Sequence, residues 1–423
     1  MARSFPTSPE LSSRALRVAI AAAALVALVP VVGHASAADG DEQEDTGSNT
    51  IPVGCDGDVT ADSLNEAFDE GLDRFDGGDY QRAFELDDGR VLWVFQDVYV
   101  ATDSGRELVH SAAVLQDGTC FTTVTGGTTD EPEAWIAADE TTPFVDWYWP
   151  LDGYQPDDDT FVLFVAEMEE RGDRYLANAT PVTTWVVEVD LSGPDGTLVV
   201  GELESAPNAG TELYGFEVTT DDEYLYLYGH CHRQFGHSLI GHDPCADQVH
   251  LARQTLGRPN APLDYWTGDG WSRNRDLAAS VAHTSVGPDG DDVLSMPMQV
   301  QRDGDRWISA TKTDDWWGAT VQLATAPRPE GPWTVTAVLP VATQGDPEVM
   351  SAYFVSFVPA ADDDGIVLAM SNNRWDGAYS DVYHPVFESV SPQLWTEREA
   401  VEITSRYWLP IGPRFDGRTP SVA

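Results

Sequence analysis

An acidic turn followed by a short run of aromatic or β-branched residues occurs five times along this chain. The turns lie at 87–90, 157–159, 221–223, 303–305 and 362–365, and they precede the runs VLWVF, FVLFV, YLYLY, RWISA and IVLAM. Asp and Gly turns beside such runs are typical of β-hairpins. Successive turns are separated by 60 to 81 residues, so each repeat is long enough to hold several strands.

A second turn occurs later in four of the five units, at Asp117-Gly118, Asp195-Gly196, Asp269-Gly270 and Glu330-Gly331-Pro332. Two hairpins give about four strands per unit, which is the content of a propeller blade. The sequence therefore predicts an all-β fold, a five-bladed β-propeller, with a large β-sandwich as the alternative. The segment 63–75 predicts one amphipathic helix before the first blade, with Ser63 and Glu66 in capping-box spacing.

The pattern of the first 50 residues is typical of a targeting segment followed by a leader. Three arginines precede the apolar run 18–32, and the small residues 35–37 follow it, a pattern typical of a secretory signal peptide. The run is too short and too rich in alanine for a membrane anchor. We therefore expect a signal peptide at 1–37, an unstructured acidic leader at 38–50 and the propeller at 51–423, in a secreted, extracellular protein that does not insert into a membrane.

The charge of the chain restricts its partners. The 423 residues include 71 Asp and Glu against 23 Lys and Arg, a net charge of −48, which argues against binding to nucleic acid or anionic lipid. A hydrophobic content of 42% excludes global disorder. We expect a salt-adapted, solvated surface and no cofactor. Bound calcium is the alternative, and it would require carboxylates that are clustered as oxygen ligands.

Four cysteines in an exported chain predict two disulfides. Three pairings exist, and we favour Cys55–Cys120 with Cys231–Cys245, since the second closes a short loop. Five of the nine histidines fall between 230 and 250. They could bind a metal, contact sugar through His230 and His232, or serve only the structure of the loop, and sugar contact is our first choice.

The candidate catalytic groups follow from the hairpin geometry. The start of the first strand and the end of the second lie at one edge of a hairpin, so such positions would line one mouth of the propeller funnel. Asp79 and Asp97 are each nine residues from Asp88, and directly opposed residues have Cβ atoms about 4.5–5.5 Å apart. That is close to the carboxyl spacing of about 5–5.5 Å in retaining glycosidases. A two-residue loop would pair Asp79 with Val98 instead, so the geometry requires a bulge or an odd loop.

The other blades place polar and aromatic residues at the same edge. Flat rings in their loops could stack on the apolar faces of sugars. Capping of turns is the alternative role for any single carboxylate. The residues that we expect to bind substrate are Tyr80, Trp149, Glu167, Glu212, His230, His232, Asn373 and Arg374.

The segment GGDYQRAFELDDGRVLWVFQD (77–97) resembles the opening blade of the five-bladed propeller glycoside hydrolases, the arabinanase, fructosidase and levansucrase superfamily. It is most similar to exported actinobacterial branches long labelled domains of unknown function, some of which are endo-D-arabinanases. Looser matches are WYWPLDG (147–153), YLYLYGH (224–230), ATAPRPEGPW (324–333) and IVLAMSNNRW (366–375).

This resemblance implies a hydrolase acting on a furanose-containing, arabinan-like polysaccharide, and a monomer whose partner is that substrate. Asp79 and Asp97 would be the catalytic pair, one as nucleophile or base and the other as acid, with Asp152 as an auxiliary acid. Two segments depart from the pattern. SMPMQVQ (295–301) lacks an expected carboxylate and SFVPA (356–360) lacks a frequent histidine. The alternatives are a propeller that binds glycan without cleaving it and a structural exoprotein.

Overall fold

The computed structural model of the protein describes sixteen ranges of residues between 55 and 402. The segment 47–423 is one compact unit, and 1–46 is grouped separately. The signal peptide and leader predicted for 1–50 lie outside the described residues. The described residues are 55, 57–138, 145–170, 179–193, 197–206, 213–230, 249–258, 261–281, 283–284, 299–312, 319–343, 350–359, 361, 365–374, 383–396 and 401–402.

One α-helix, α1 (Ala61–Glu70), precedes the sheets. Its N-cap is Thr60, whose hydroxyl accepts from the Ser63 N–H at 3.1 Å while the Ser63 hydroxyl accepts from the Thr60 N–H at 2.8 Å. The predicted helix is confirmed, but the predicted capping pair, Ser63 with Glu66, is wrong. Two hydroxyl side chains three residues apart satisfy both backbone donors one turn earlier.

Nine strands follow α1, in three antiparallel groups. Strands β2, β3, β6 and β7 form one sheet, β1, β4 and β5 a second, and β8 and β9 a short pair. Their bounds are β1 (Phe75–Gly78), β2 (Arg82–Glu85), β3 (Val91–Phe95), β4 (Val98–Thr102), β5 (Gly105–Val109), β6 (Ala112–Asp117), β7 (Cys120–Val124), β8 (Gly126–Gly127) and β9 (Pro132–Glu133).

Four further sheets contain the remaining strands: β10 to β13, β14 to β18, β19 to β23 with β27, and β24 to β26. The bounds are β10 (Trp147–Asp157), β11 (Thr160–Glu170), β12 (Ala179–Asp190), β13 (Val199–Ser205), β14 (Glu217–Thr220), β15 (Tyr224–His230), β16 (Val249–Thr255), β17 (Asp264–Trp266), β18 (Trp271–Ser272), β19 (His283–Thr284), β20 (Gln299–Asp303), β21 (Arg306–Lys312), β22 (Thr320–Ala326), β23 (Trp333–Pro340), β24 (Met350–Val358), β25 (Ile366–Arg374), β26 (Pro385–Val390) and β27 (Val401–Glu402). Short 3-10 helices occupy Arg275–Leu277 and Pro392–Trp395.

The sheets contact one another in a cycle through one strand of each. Strand β2 touches β10, β10 touches β14, β14 touches β20, β20 touches β24, and β24 returns to β2. Each predicted acidic turn lies between one of these five strands and the next strand along the chain. The predicted all-β propeller class is confirmed. None of the helices among the described residues is long and apolar enough to cross a membrane.

Apolar clusters fill the spaces between neighbouring sheets. All five residues of β3 are buried, including Trp93 and Phe95, because both faces of this sheet are covered by other elements. Phe68 of α1 packs on Phe75, Trp93 and Phe387 with ring centroids 5.1 to 5.6 Å apart. The helix therefore covers the outside of the sheet that carries the acid pair.

The predicted disulfide between Cys55 and Cys120 is present, with Cα atoms 5.3 Å apart. It joins the segment before α1 to the first residue of β7, 65 residues later. The other two cysteines, Cys231 and Cys245, lie outside the described residues.

Candidate active site

Asp79 and Asp97 lie directly opposite each other. The register of β2 and β3 pairs Arg82 with Val94 and Glu85 with Val91, so the connecting loop 86–90 contains an odd number of residues. The pairing continues beyond the strands, where the Asp79 N–H donates to the Asp97 carbonyl at 3.2 Å. This odd loop is the condition that the sequence required, and it places both side chains on one face of the hairpin.

The backbone around Asp79 has two unusual conformations. Gly77 has φ +148°, and a Cβ there would lie 2.4 Å from the carbonyl oxygen of Tyr383, so no larger residue fits. Tyr80 has φ +49°, a left-handed conformation that costs a non-glycine residue free energy and often marks functional sites. The Ser371 hydroxyl accepts from the Tyr80 N–H at 2.9 Å. Asp79 is therefore held between a close approach of two chain segments and a strained residue.

Asp79 is 8% exposed and lies among hydroxyl donors. Its Oδ2 accepts from the Tyr353 hydroxyl at 2.6 Å, its Oδ1 accepts from the Asp97 N–H at 3.2 Å, and the Tyr383 hydroxyl also donates to it. Burial, and then the negative charge of Asp97, raise the pKa of Asp79 to about 7 against these hydrogen bonds. A carboxyl group with this pKa can both give up and take back a proton near neutral pH.

Asp97 is 7% exposed and has different neighbours. Its Oδ1 accepts from the Trp149 indole N–H at 2.9 Å and lies 2.9 Å from Nδ1 of His110. The His110 ring stacks on Trp147 at 4.6 Å with an interplanar angle of 23°, which holds the imidazole in place. Among the described residues, the hydrogen bonds to this carboxylate all fall on Oδ1. The two acids therefore differ, because tyrosine hydroxyls surround Asp79 while an indole N–H and an imidazole nitrogen contact Asp97.

The raised pKa of Asp79 has a consequence for stability. Between pH 4 and 7 the folded protein holds a proton on Asp79 that the unfolded chain releases, so the group lowers the free energy of unfolding as the pH rises. The slope reaches about 1.4 kcal/mol per pH unit for one proton. We expect Asp79→Asn to remove this slope. In urea unfolding at pH 4, 5.5 and 7, the free energy of unfolding of the variant should therefore rise relative to that of the wild type at each step. Parallel curves for the two proteins would contradict it.

His110 is expected to position Asp97. A hydrogen bond to a charged group is worth about 1.5–3 kcal/mol, so His110→Phe, which keeps a ring on Trp147 but removes Nδ1, should lower kcat by about 10–100-fold with little change in KM. His110→Asn keeps a donor near the position of Nδ1 and should lose less. The measurement is the kcat of both variants across pH. A positioning role predicts a lower kcat for His110→Phe than for His110→Asn, whereas a purely structural role for the ring predicts the reverse order.

A second buried polar cluster lies beside the pair. Arg82, the first residue of β2, is 1% exposed, and its guanidinium lies 4.8 Å from the Phe216 ring centroid and 4.7 Å from that of Phe354. It donates to the Phe216 carbonyl at 2.8 Å. Two buried carboxylates, Asp152 of β10 and Glu217 of β14, face its charge. Three sheets thus contribute one charged group each to a single interior cluster.

The carboxylates of this cluster are held by backbone donors. Asp152 accepts from the Val218 N–H at 2.7 Å, and Glu217 accepts from the Val300 N–H at 2.6 Å. Burial raises the pKa of both acids, and the negative charge of Asp152 raises that of Glu217 further, while the Arg82 charge opposes both shifts. The two side chains also hydrogen-bond each other. The cluster therefore favours one shared proton and one arginine between two acids.

The structure brings together some of the predicted site residues. Tyr80 and Trp149 lie at the acid pair, the Tyr80 ring 5.5 Å from that of Tyr353. Asp152 belongs to the Arg82 cluster, and the described contacts include no hydrogen bond from it to Asp79 or Asp97.

For the other predicted site residues, the described contacts do not include the acid pair. Glu167 of β11 accepts from the Trp185 indole N–H at 2.6 Å, and Asn373 is buried in β25 opposite Ser351. His230 and Arg374 end their strands, and nothing is described of their side chains. Glu212 and His232 lie outside the described residues, as do Cys231 and Cys245 of the histidine-rich segment.

Sequence reasoning missed His110, Tyr353, Tyr383 and Arg82. Each of these residues is distant from its partner along the chain or lies in a strand whose apolar pattern is typical of the core, so no local motif predicts its role. Within the described ranges, no group of three His, Cys, Asp or Glu side chains is arranged to hold a metal ion.

Three solved structures are similar to this chain at low sequence identity. A "putative hydrolase" from Bacteroides ovatus ATCC 8483 matches with a TM-score of 0.57 and 16% identity, over 77% of this chain and 88% of that chain. The GH43_1 enzyme from Xanthomonas citri complexed with xylotriose gives 0.41 and 15%, over 76% and 94%. The catalytic domain of the Coprinopsis cinerea GH62 alpha-L-arabinofuranosidase gives 0.42 and 12%, over 74% and 90%. The first match supports the fold alone, and the other two superpose too loosely to support an argument.

Sequence comparison places the chain in one family. No curated protein matches it significantly. Residues 63–392, more than three quarters of the chain, match the family described as Domain of unknown function (DUF5005). This range begins in α1 and ends in the last 3-10 helix, so it includes the acid pair and the Arg82 cluster. The chain therefore belongs to the DUF5005 family.

Proposed function

We propose that this protein is a secreted glycoside hydrolase that cleaves a furanose-containing, arabinan-like polysaccharide in the funnel of a five-bladed propeller. The observation that carries the proposal is the directly opposed, buried pair Asp79 and Asp97, whose surroundings differ. Burial and the Asp97 charge raise the pKa of Asp79 to about 7. A buried carboxyl group with a raised pKa, directly opposite a second carboxylate, is the arrangement that glycosidic cleavage uses.

Asp79 is the proton donor in this proposal. In the first step the Asp97 carboxylate attacks the anomeric carbon while Asp79 gives its proton to the departing glycosidic oxygen. In the second step the ionised Asp79 takes a proton from water, the water oxygen attacks the anomeric carbon, and the bond to Asp97 breaks. Opposed positions about 4.5–5.5 Å apart at Cβ favour this two-step, retaining route over inversion, which needs room for a water between the acids.

The remaining predicted residues have supporting parts in this proposal. Trp149 donates to Asp97 and packs edge-on to Trp147 at 5.8 Å, so it orients the nucleophile and presents a ring to the sugar. Tyr80 lies next to the acid in a conformation that aims its ring at Tyr353. Asp152 acts through the Arg82 cluster. Glu212, His230, His232, Asn373 and Arg374 stay predicted substrate contacts.

The test is direct. The purified protein is incubated with L-arabinan, D-arabinan, arabinoxylan and levan, and new reducing ends are measured over time with Asp97→Asn as the blank. Proton NMR of the first product distinguishes retention from inversion at the anomeric carbon. We expect release from an arabinan with retention. Binding to these polymers without any product would instead show the non-catalytic glycan-binding propeller, and neither binding nor product would leave the structural alternative.

A further inference from the structure

The hairpin turns of several sheets lie on one side of the molecule, at the strand ends away from Asp79 and Asp97. The Asp87 N–H of the first turn donates to the Gln155 side chain at 2.9 Å, beside the second turn. In turn, Arg302 at the end of β20 pairs with Asp222 of the third turn at 3.3 Å. A cavity lined by Pro156, Asp222 and Glu223 connects the second turn to the third. Together these contacts join the turns of four sheets into one surface, the turn face, which is opposite the acid pair along the strands.

A cavity of about 340 Å³ opens on the turn face between the sheets of β14 and β20. Residues of both sheets line it, among them Arg253, Arg302, Arg328, Asp221, Glu330 and Trp271. Only 23 of 423 residues are basic and the net charge is −48, so three arginines around one cavity are a concentration that the composition does not predict. Asp305 also lines it, which makes three acids to three arginines among the described lining residues.

Arg253 is held rigidly in this cavity. Its guanidinium carbon lies 4.0 Å from the Tyr224 ring centroid and 4.2 Å from that of Trp271, so the planar group is clamped between two rings. Trp271 is supported by Trp266, whose centroid is 5.4 Å away in an edge-on contact. A clamped guanidinium presents its donors in one orientation and loses little entropy when a ligand binds. Trp266 therefore supports this clamp.

The acceptors of the cavity are also held in place. Asp221 accepts from the Tyr226 hydroxyl at 2.8 Å and from the Glu223 and Tyr224 N–H groups at 2.8 Å each. Glu330 is 10% exposed and lies 3.3 Å from Arg328. The cavity therefore combines oriented guanidinium donors, oriented carboxylate acceptors and an aromatic ring, which is the mixture that a polyhydroxylated ligand can use, since each sugar hydroxyl both donates and accepts.

We propose that this cavity is a second glycan site that binds a short stretch of a neutral polysaccharide and does no chemistry. Its charges balance, and the field of a protein with net charge −48 repels anionic polymers, so neutral sugars with adjacent hydroxyl groups fit better than uronates or sulfated sugars. The volume suits one or two sugar rings. Because the site lies on the face away from the acid pair, it would hold the protein on its polymer while the funnel stays open.

The test measures binding at this site separately from cleavage. The protein is labelled with 5-fluorotryptophan, the Trp271 fluorine signal is assigned with Trp271→Phe, and the signal is followed while arabinotriose is added. We expect a saturable shift of the Trp271 signal in the wild type and in Asp97→Asn alike. In native gels that contain soluble arabinan, the arabinan should retard the double variant Arg302→Gln/Arg328→Gln at least tenfold less than it retards the wild type. Arg106→Gln, which removes an exposed arginine from β5, is the matched control and should bind as the wild type does.

The outcomes separate this site from the proposed function. A Trp271 shift without any hydrolysis supports the second site and removes the catalytic proposal, whereas hydrolysis with an unmoved Trp271 signal overturns the second site alone. Retardation by polygalacturonate but not by arabinan would show an anion site and also overturn the proposal. Equal retardation of the double variant and the control would do the same. Both variants change exposed side chains, so their thermal unfolding should match that of the wild type.

Discussion

Asp97→Asn and Asp79→Asn are each expected to abolish most polysaccharide cleavage while the protein stays folded. General acid catalysis is worth about 10²–10⁴-fold in rate, and removal of the nucleophile should cost at least as much. The two variants differ in a way that identifies their roles. With a nitrophenyl arabinofuranoside, whose leaving group needs no proton, Asp79→Asn should recover much of its kcat/KM, which reports the first step, while kcat stays low because the second step still lacks its base. Asp97→Asn should not, because the attacking carboxylate is missing for every substrate.

A matched control comes from the same hairpin. Asp88 is an exposed turn acid that bonds only to Arg90 in the described contacts, at 2.6 Å, so Asp88→Asn should retain full activity. The pair assignment fails if Asp88→Asn is as inactive as the other two. It also fails if Asp79→Asn and Asp97→Asn lose the same factor on polymer and on the activated substrate, because the acid and the nucleophile would then not be separated between these residues.

Arg82→Met is expected to have the largest effect on stability, a loss of about 3–5 kcal/mol in the free energy of unfolding, because it leaves buried carboxylates without their counter-charge. Asp152 and Glu217 are 5% and 2% exposed, so water cannot replace the guanidinium. The loss should grow with pH. The Arg82 charge opposes the raised pKa values of both acids, so its removal raises these pKa values further. The folded variant then holds protons that the folded wild type has released, and its stability falls more steeply as the pH rises.

The measurement is urea unfolding at pH 4.5 and pH 7. Glu217→Gln in the Arg82→Met background should recover part of the loss, since it removes one of the two uncompensated charges. As a control, Arg90→Met removes a guanidinium whose ion-pair partner among the described residues is Asp88, at 51% side-chain exposure, and it should cost less than about 1 kcal/mol. A small effect of Arg82→Met, the same at both pH values, would show that the cluster is not an ionic one.

The Arg82 cluster also bears on how Asp152 contributes to function. The resemblance implied that Asp152 is an auxiliary acid, yet both of its oxygens are used within the protein, one by Gly153 at 2.8 Å and the other by Val218. Its described partners come from its own sheet and from β14. We therefore expect any effect of Asp152→Asn on the rate to come with a loss of stability, in parallel with Arg82→Met.

The sequence alone determined the features that depend on short-range patterns. Alternation of acidic turns with aromatic and β-branched runs predicts hairpins, because turn chemistry and the two-residue period of a strand are local properties. Repetition of the hairpins predicted the propeller, and the equal distances from Asp88 picked out Asp79 and Asp97. The pairing of Cys55 with Cys120 followed from one preference among three, and the helix was found with its cap displaced by one turn.

Only the tertiary structure decided whether the two acids face each other and how they differ. The odd loop 86–90 sets the register, and no local rule distinguishes it from a two-residue turn. His110, Tyr353 and Tyr383 reach the pair from other parts of the chain, and Arg82 meets acids from two other sheets. Burial and the nearby charge set the pKa of Asp79, and both are properties of the assembled ring of sheets that no single segment contains.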